Sequence, residues 1–150
     1  MRLVIQRVKT ASVNINRQIF SEINRGFLIF AGIEDEDNSE DIIWLTNKVC
    51  GMRVFVDNEG KMNLDLKQVN GNILLVSQFT LHASTKKGNR PSFIKAARPE
   101  KAIPLYEELI REFEKLMLHP IQTGVFGAEM QVSLVNDGPV TIIMDSKRRE

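Results

Sequence analysis

Two short polar segments interrupt core-like sequence in this chain, Ser77-Gln78-Phe79-Thr80-Leu81 and Asn136-Asp137-Gly138-Pro139-Val140-Thr141. Ser77 and Thr80 follow Ile73 to Val76, a run that reads as buried strand, and Gly138-Pro139 breaks the chain between Met130 to Val135 and Val140 to Met144. Compact polar groups at the edge of an apolar run suggest the wall of a site. Other chemistry is less well supplied. Ser77 lacks the Gly-x-Ser-x-Gly elbow that exposes a hydrolase nucleophile, and the spacing of Ser77, His82 and the aspartates at 57, 65, 137 and 145 makes no triad. Cys50, His82 and His119 show no short ligand spacing, so no metal is expected. Gly124 and Gly127 do not form a nucleotide-cradling glycine pattern, and no cofactor is implied.

Directly after the first segment, Lys86-Lys87-Gly88-Asn89-Arg90 makes a local basic loop, followed by Arg90-Pro91-Ser92-Phe93 with its planar donor and ordered turn. Both a solvated turn and a contact to RNA phosphate fit this loop. The terminal Lys147, Arg148 and Arg149 read as a solubilising, disordered tail.

The elements that must position these groups are mostly strands. Leu3, Ile5 and Val8, then Val13 and Ile15 after a polar break, predict two strand segments, followed by Ile19 to Ile23 and the dense run Phe27 to Ala31. Asn38 or Ser39 can cap a helix carrying Ile42, Ile43, Leu45, Val49 and Met52 near one face, with Glu34 to Asp37 as a solvated acidic approach to its N-terminus. Cys50 falls on that face as a buried thiol. A small hairpin is predicted from Met52 to Leu66 around Asp57-Asn58-Glu59-Gly60. Pro99 opens a second helix whose stripe is Ala102, Tyr106, Leu109, Ile110, Phe113 and Met117. Ile121 to Phe126, Met130 to Val135 and Val140 to Met144 then predict closing strands separated by turns. The fold class is mainly β with two helices, α+β.

At 150 residues, 43% hydrophobic and 26% charged, the sequence fits one domain spanning residues 1–150 with a sizeable core. A formal net charge of +1 gives no global sign of nucleic-acid affinity, so any RNA contact must be local. The single cysteine and the lack of a secretory-type N-terminus point to the cytoplasm, and no apolar run approaches the ~20 residues of a membrane span.

The two polar segments together closely resemble the D-aminoacyl-tRNA deacylase family. Arg7-Val8 with Ala11-Ser12-Val13, Phe27-Leu28-Ile29 and Arg90-Pro91-Ser92-Phe93 also fit, so the resemblance spans the whole chain. It implies a β-barrel or sandwich that works as a homodimer, without cofactor, to hydrolyse the ester joining a D-amino acid, and sometimes glycine, to the terminal adenosine of tRNA. It further implies that Ser77, Gln78 and Phe79 shape the adenosine site and that Lys86 and Arg90 contact the substrate. Thr80 would position substrate or water, with backbone donors near Phe79 and Thr80 holding the developing oxyanion. Gly138-Pro139, joined by a cis peptide bond, would enter the partner subunit's pocket and exclude L side chains. A threonine hydroxyl without an activator is a weak nucleophile, so no covalent intermediate follows, and the ribose hydroxyl of the tRNA can assist instead. A noncatalytic module binding the aminoacyl end of tRNA is the main alternative, and a structural or self-associating protein the second.

Overall fold

Strand β1 (Arg2–Ile15) organises the sheet because it is paired along both edges. A computed structural model describes residues 1–149. On one edge the first half of β1 pairs antiparallel with β3 (Gly26–Gly32), and its second half pairs with β2 (Gln18–Ile23). After α1 (Ser39–Cys50) and a two-stranded ribbon of β4 (Phe55–Val56) and β5 (Met62–Leu64), β6 (Asn72–Ser77) runs parallel to β3. A one-turn 3-10 helix, Phe79–His82, leads through a loop into α2 (Pro99–Met117). The short β7 (Gln122–Thr123) adds parallel to β6, and β8 (Gln131–Asp145) lies antiparallel along the other edge of β1. Ser21 Oγ on β2 donates to the carbonyl of Thr123 on β7 at 2.7 Å, so the curled sheet nearly closes into a barrel.

Strand alternation divides the apolar side chains between two cores. Leu3, Ile5, Phe27, Ile29, Ile73 and Leu75 face the helices, where they meet Ile42, Leu45 and Val49 of α1 and Tyr106, Leu109 and Phe113 of α2. Their neighbours Val8, Val13, Leu28, Leu74 and Val76 fill the inside of the curl. Each large side chain buried in this way contributes roughly 1.5–3 kcal/mol relative to exposure. Helix α1 starts at Asn38, whose side chain accepts from the Glu40 N–H at 2.9 Å while Asp41 reaches back to the Asn38 N–H at 3.0 Å. The Tyr106 hydroxyl donates to the Leu75 carbonyl at 2.8 Å and pins α2 against β6.

Several sequence expectations require correction. Of the runs Met130 to Val135 and Val140 to Met144, all but Met130 belong to the single strand β8, because the side chains of Arg7 on β1 and Asn136 on β8 supply hydrogen bonds across the two strands where Gly138-Pro139 disturbs the ladder. β1 likewise runs through its polar interval, absorbing Lys9 in a register shift between Val8 and Thr10. Only Gln122–Thr123 of the 121 to 126 run is strand. Ile43 is half-exposed, since a residue next to the buried Ile42 sits about 100° round the helix. Met52 lies beyond the helix end. Asp37 is buried, paired with the Met1 amino group, and the basic tail is docked: Lys147 Nζ donates to Asp41 Oδ2 at 2.7 Å and to the Glu36 carbonyl at 2.9 Å. Among the described residues no helix is long and apolar enough to cross a membrane.

Candidate active site

β6 carries its apolar run to Ser77 and then stops, because the chain turns at Gln78 into the 3-10 helix. The Gln78 N–H donates to the Ala31 carbonyl at 2.8 Å, so the first residue past the strand is still held by β3. A cleft of about 310 Å³ opens beside this junction. Ser77, Gln78 and Phe79 form one wall, Ala31, Ile33 and Val76 the floor, and Phe126, Ala128, Met130 and Val132 the opposite side. The leading N–H groups of a 3-10 helix have no acceptor within it, and those of Phe79 and Thr80 occupy that position next to the cleft.

Thr80 does not line the cleft, although its hydroxyl is tied to a residue that does. The Gln78 side-chain amide donates to Thr80 Oγ1 at 2.6 Å. That bond uses one lone pair and leaves the Thr80 O–H free to turn toward water or substrate. Thr80 Oγ1 has no hydrogen bond to a carboxylate or imidazole among the described residues, so the hydroxyl is oriented without being activated. His82, two residues on, is buried. Its Nδ1 lies 4.0 Å from Glu34 Oε2, and its Nε2 has no partner among the described residues.

The second polar segment lies elsewhere on the chain. Between the pairs Gln6↔Thr141 and Val8↔Asn136, β8 advances five residues while β1 advances two, so Asp137 to Val140 bulge out of the ladder. The Gly138-Pro139 bond is cis, Gly138 has φ +133, and both residues are exposed. Arg7, only 5% exposed, secures the bulge. Its Nε donates to the Asp137 carbonyl at 3.0 Å and lies 3.3 Å from Asp137 Oδ2, while its Nη1 donates to the Val54 carbonyl. Asn136 Nδ2 adds bonds to the carbonyls of Arg7 at 3.3 Å and Val140 at 3.1 Å.

Of the residues anticipated from sequence, Ser77, Gln78 and Phe79 therefore share the cleft, with Thr80 beside it. Gly138 and Pro139 do not line it within one chain. Lys86 lines a separate groove, and Arg90 lies at the exposed tip of a loop closed by the Ser84↔Ser92 bridge. Cys50 is buried in the helix-side core, where desolvation pushes its thiol up to about 11. Sequence reasoning gave Arg7 no role. A signal was present, because the two-residue period places Arg7 on the inward face of β1 with Leu3 and Ile5, where a cation needs partners. The far wall, from Phe126 to Val132, carried no comparable mark.

The chain is similar to known proteins over its whole length. A family model described as D-Tyr-tRNA(Tyr) deacylase matches residues 4–145. D-aminoacyl-tRNA deacylases from Akkermansia muciniphila and Flavobacterium johnsoniae are 59% and 57% identical over 150 residues, 100% of both chains in each case. Among solved structures, a c-Myc DNA unwinding element binding protein is 38% identical with a TM-score of 0.90, covering 97% of this chain and 98% of that one. A probable eukaryotic D-amino acid tRNA deacylase has a TM-score of 0.81 at 16% identity over 95% and 97% of the two chains, a likeness of fold alone.

Proposed function

The chain belongs to the D-Tyr-tRNA(Tyr) deacylase family and catalyses the deacylation of D-aminoacyl-tRNA, and from that premise we propose which of its residues carry the reaction. The catalytic reading thereby displaces the noncatalytic binding module. The aminoacyl-adenosine end of the tRNA enters the cleft beside Ser77, Gln78 and Phe79. The Phe79 and Thr80 N–H groups receive the ester carbonyl and, as water adds, its oxyanion. Thr80, oriented by Gln78, positions that water or the substrate. No carboxylate or imidazole among the described residues bonds the threonine hydroxyl, so the ribose hydroxyl of the tRNA assists proton transfer. The acyl–oxygen bond breaks, releasing the free amino acid and tRNA. Lys86 and Arg90 meet the phosphates of the same substrate, and the working compartment is the cytoplasm.

Chirality is read by a second copy of the chain. The observation that carries this is the separation on one protomer: Gly138-Pro139 stands exposed on the β8 bulge and is absent from the lining of its own cleft. β8 pairs only with β1 among the described strands, and Val135 and Ile143 on its outward face are exposed, Ile143 by 68%. A long strand with a free edge and apolar outward residues is suited to cover by another chain. In a homodimer each bulge enters the partner's cleft, and its backbone leaves no room for an L side chain while admitting a D substituent or the hydrogen of glycine. Glycyl-tRNA is then a second substrate.

Mixed dimers test the arrangement. One chain carries Thr80→Ala in its site, the other Gly138→Ala in its bulge, and each is inactive or unselective as a homodimer. Mixing restores selective cleavage of D-Tyr-tRNA over L-Tyr-tRNA if site and bulge come from different chains, because one of the two composite sites is then intact. No restoration in a preparation shown by tagged pull-down to contain mixed dimers refutes it.

A further inference from the structure

Phe79 and Phe93 meet edge to face, with ring centroids 5.1 Å apart at 74°. They remain 56% and 37% exposed, and the adjacent Ile94 is 90% exposed. Large apolar side chains gathered at the surface mark an interaction site, and their surroundings indicate what occupies it. On one side Phe79 forms the lip of the reaction cleft. On the other, the chain leaving the 3-10 helix passes Ala83, Ser84, Thr85 and Lys86 along a polar groove of about 580 Å³, which Lys95, Lys147 and Arg148 also line. Backbone bonds between Ser84 and Ser92, 2.8 and 2.9 Å, hold the outgoing and returning strands of this loop together. The aromatic pair is thereby fixed between cleft and groove.

Glu34, Glu36 and Asp145 also line the groove, so the charge available to an anion is that of the cations no carboxylate engages. Asp145 is engaged by Arg2 at 2.9 Å and Lys147 by Asp41, whereas Lys86 and Lys95 make no ion pair among the described residues. A π surface between an ester-binding cleft and free ammonium groups matches single-stranded nucleic acid, in which every base offers a face and every nucleotide a phosphate. We propose that Phe79 and Phe93 form a stacking platform for the unpaired nucleotides immediately preceding the terminal adenosine, with Lys86 and Lys95 taking their phosphates. The enzyme thus grips the single-stranded end of tRNA outside the esterified residue. This rests on the assignment of the cleft to the aminoacyl-adenosine.

Steady-state kinetics on two substrates, D-Tyr-tRNA and D-tyrosyl-adenosine, separate the platform from the cleft. Loss of one stacking contact should raise KM for D-Tyr-tRNA about tenfold in Phe93→Ala, with kcat changed much less, and the loss on the tRNA should greatly exceed that on the adenosine ester. Phe93→Trp, which keeps a π face, should restore KM, whereas Phe93→Leu, which keeps only apolar bulk, should not. In the double variant Lys86→Gln, Lys95→Gln the slope of log KM against log salt should fall by about one to two. Equal losses on both substrates overturn the proposal, as does a leucine variant as good as tryptophan. A Phe93→Ala effect that tracks a changed sedimentation coefficient also overturns it, since the pair is then an interface between copies. Unchanged cleavage of D-tyrosyl-adenosine by Ala128→Trp, which fills the cleft, refutes the underlying cleft assignment instead.

Discussion

Arg7 is the residue whose removal should be most informative, because it joins the Gly138-Pro139 bulge to the rest of the chain through a buried charge. Its guanidinium donates to the carbonyls of Asp137 and Val54 and faces the Asp137 carboxylate at 3.3 Å. Hydrogen bonds from a charged donor contribute about 1.5–3 kcal/mol each, so the two carbonyl bonds together set a loss of roughly 3–6 kcal/mol. Asp137 is partly open to water, which can replace some of this, and about 2–4 kcal/mol is expected for Arg7→Met. Arg7→Lys keeps the charge but lacks the planar fork that spans both carbonyls, and should lose about half as much. Urea unfolding measures the stability term, and deacylation of D-Tyr-tRNA against L-Tyr-tRNA at equal folded fraction measures the functional one. Both variants should lose discrimination, the lysine less than the methionine. If Arg7→Lys matches wild type in stability and selectivity, the fork is irrelevant. If Arg7→Met is destabilised yet fully selective, Arg7 supports the fold and not the filter.

Four other outcomes follow from the structure. Thr80→Ala should lower kcat toward about 100-fold, while Thr80→Ser, which keeps the oxygen that accepts from Gln78, should retain more of it; equal loss in both argues against a role for the hydroxyl. Gly138→Ala forces an L residue to φ +133 and places a Cβ 2.9 Å from Arg7 Nη2, so a cost of about 1–3 kcal/mol and weakened selectivity should appear in melting and D/L assays. Burial pushes the Asp41 carboxyl up, but hydrogen bonds from Lys147 and Ser146 outweigh it and hold it below its usual 3.8, while the Asp41 hydrogen bond raises Lys147 above 10.5. That pair's stabilisation is present at neutral pH, is lost as pH falls through the lowered Asp41 value, and is lost again as pH rises through the raised Lys147 value. The Tm deficit of Lys147→Met should therefore be largest near neutrality and smallest at pH 2, and a deficit independent of pH refutes the pairing. Cys50, with its thiol pushed up to about 11 by burial, should resist alkylation at pH 8 until urea unfolds the protein.

Much of the architecture is legible in the residues because it follows from local period. Leu3, Ile5, Phe27 and Ile29 alternate onto one face, and Ala102, Tyr106, Leu109 and Phe113 repeat at helical spacing, so strands and helices announce themselves. Asn38 and Pro99 mark helix starts for reasons confined to one turn of chain. The break in apolar character at Ser77 likewise located one wall of the cleft. Composition and spacing therefore determined the fold class, the two helices, and the two segments where polar chemistry interrupts the core.

Only tertiary structure decided how those segments are related. Gly138-Pro139 looks like a chain break in sequence, and β8 continues through it because Arg7 and Asn136 supply the hydrogen bonds that the ladder loses there. Lys147, read as tail, is docked because Asp41 sits buried at the other end of the chain's fold. Phe126 and Met130 form cleft wall only because β7 and β8 bring them opposite Ser77. Periodicity is a property of neighbours along the chain, whereas a contact such as Arg7 with Asp137 depends on the register of two strands some 130 residues apart, which long-range packing alone sets.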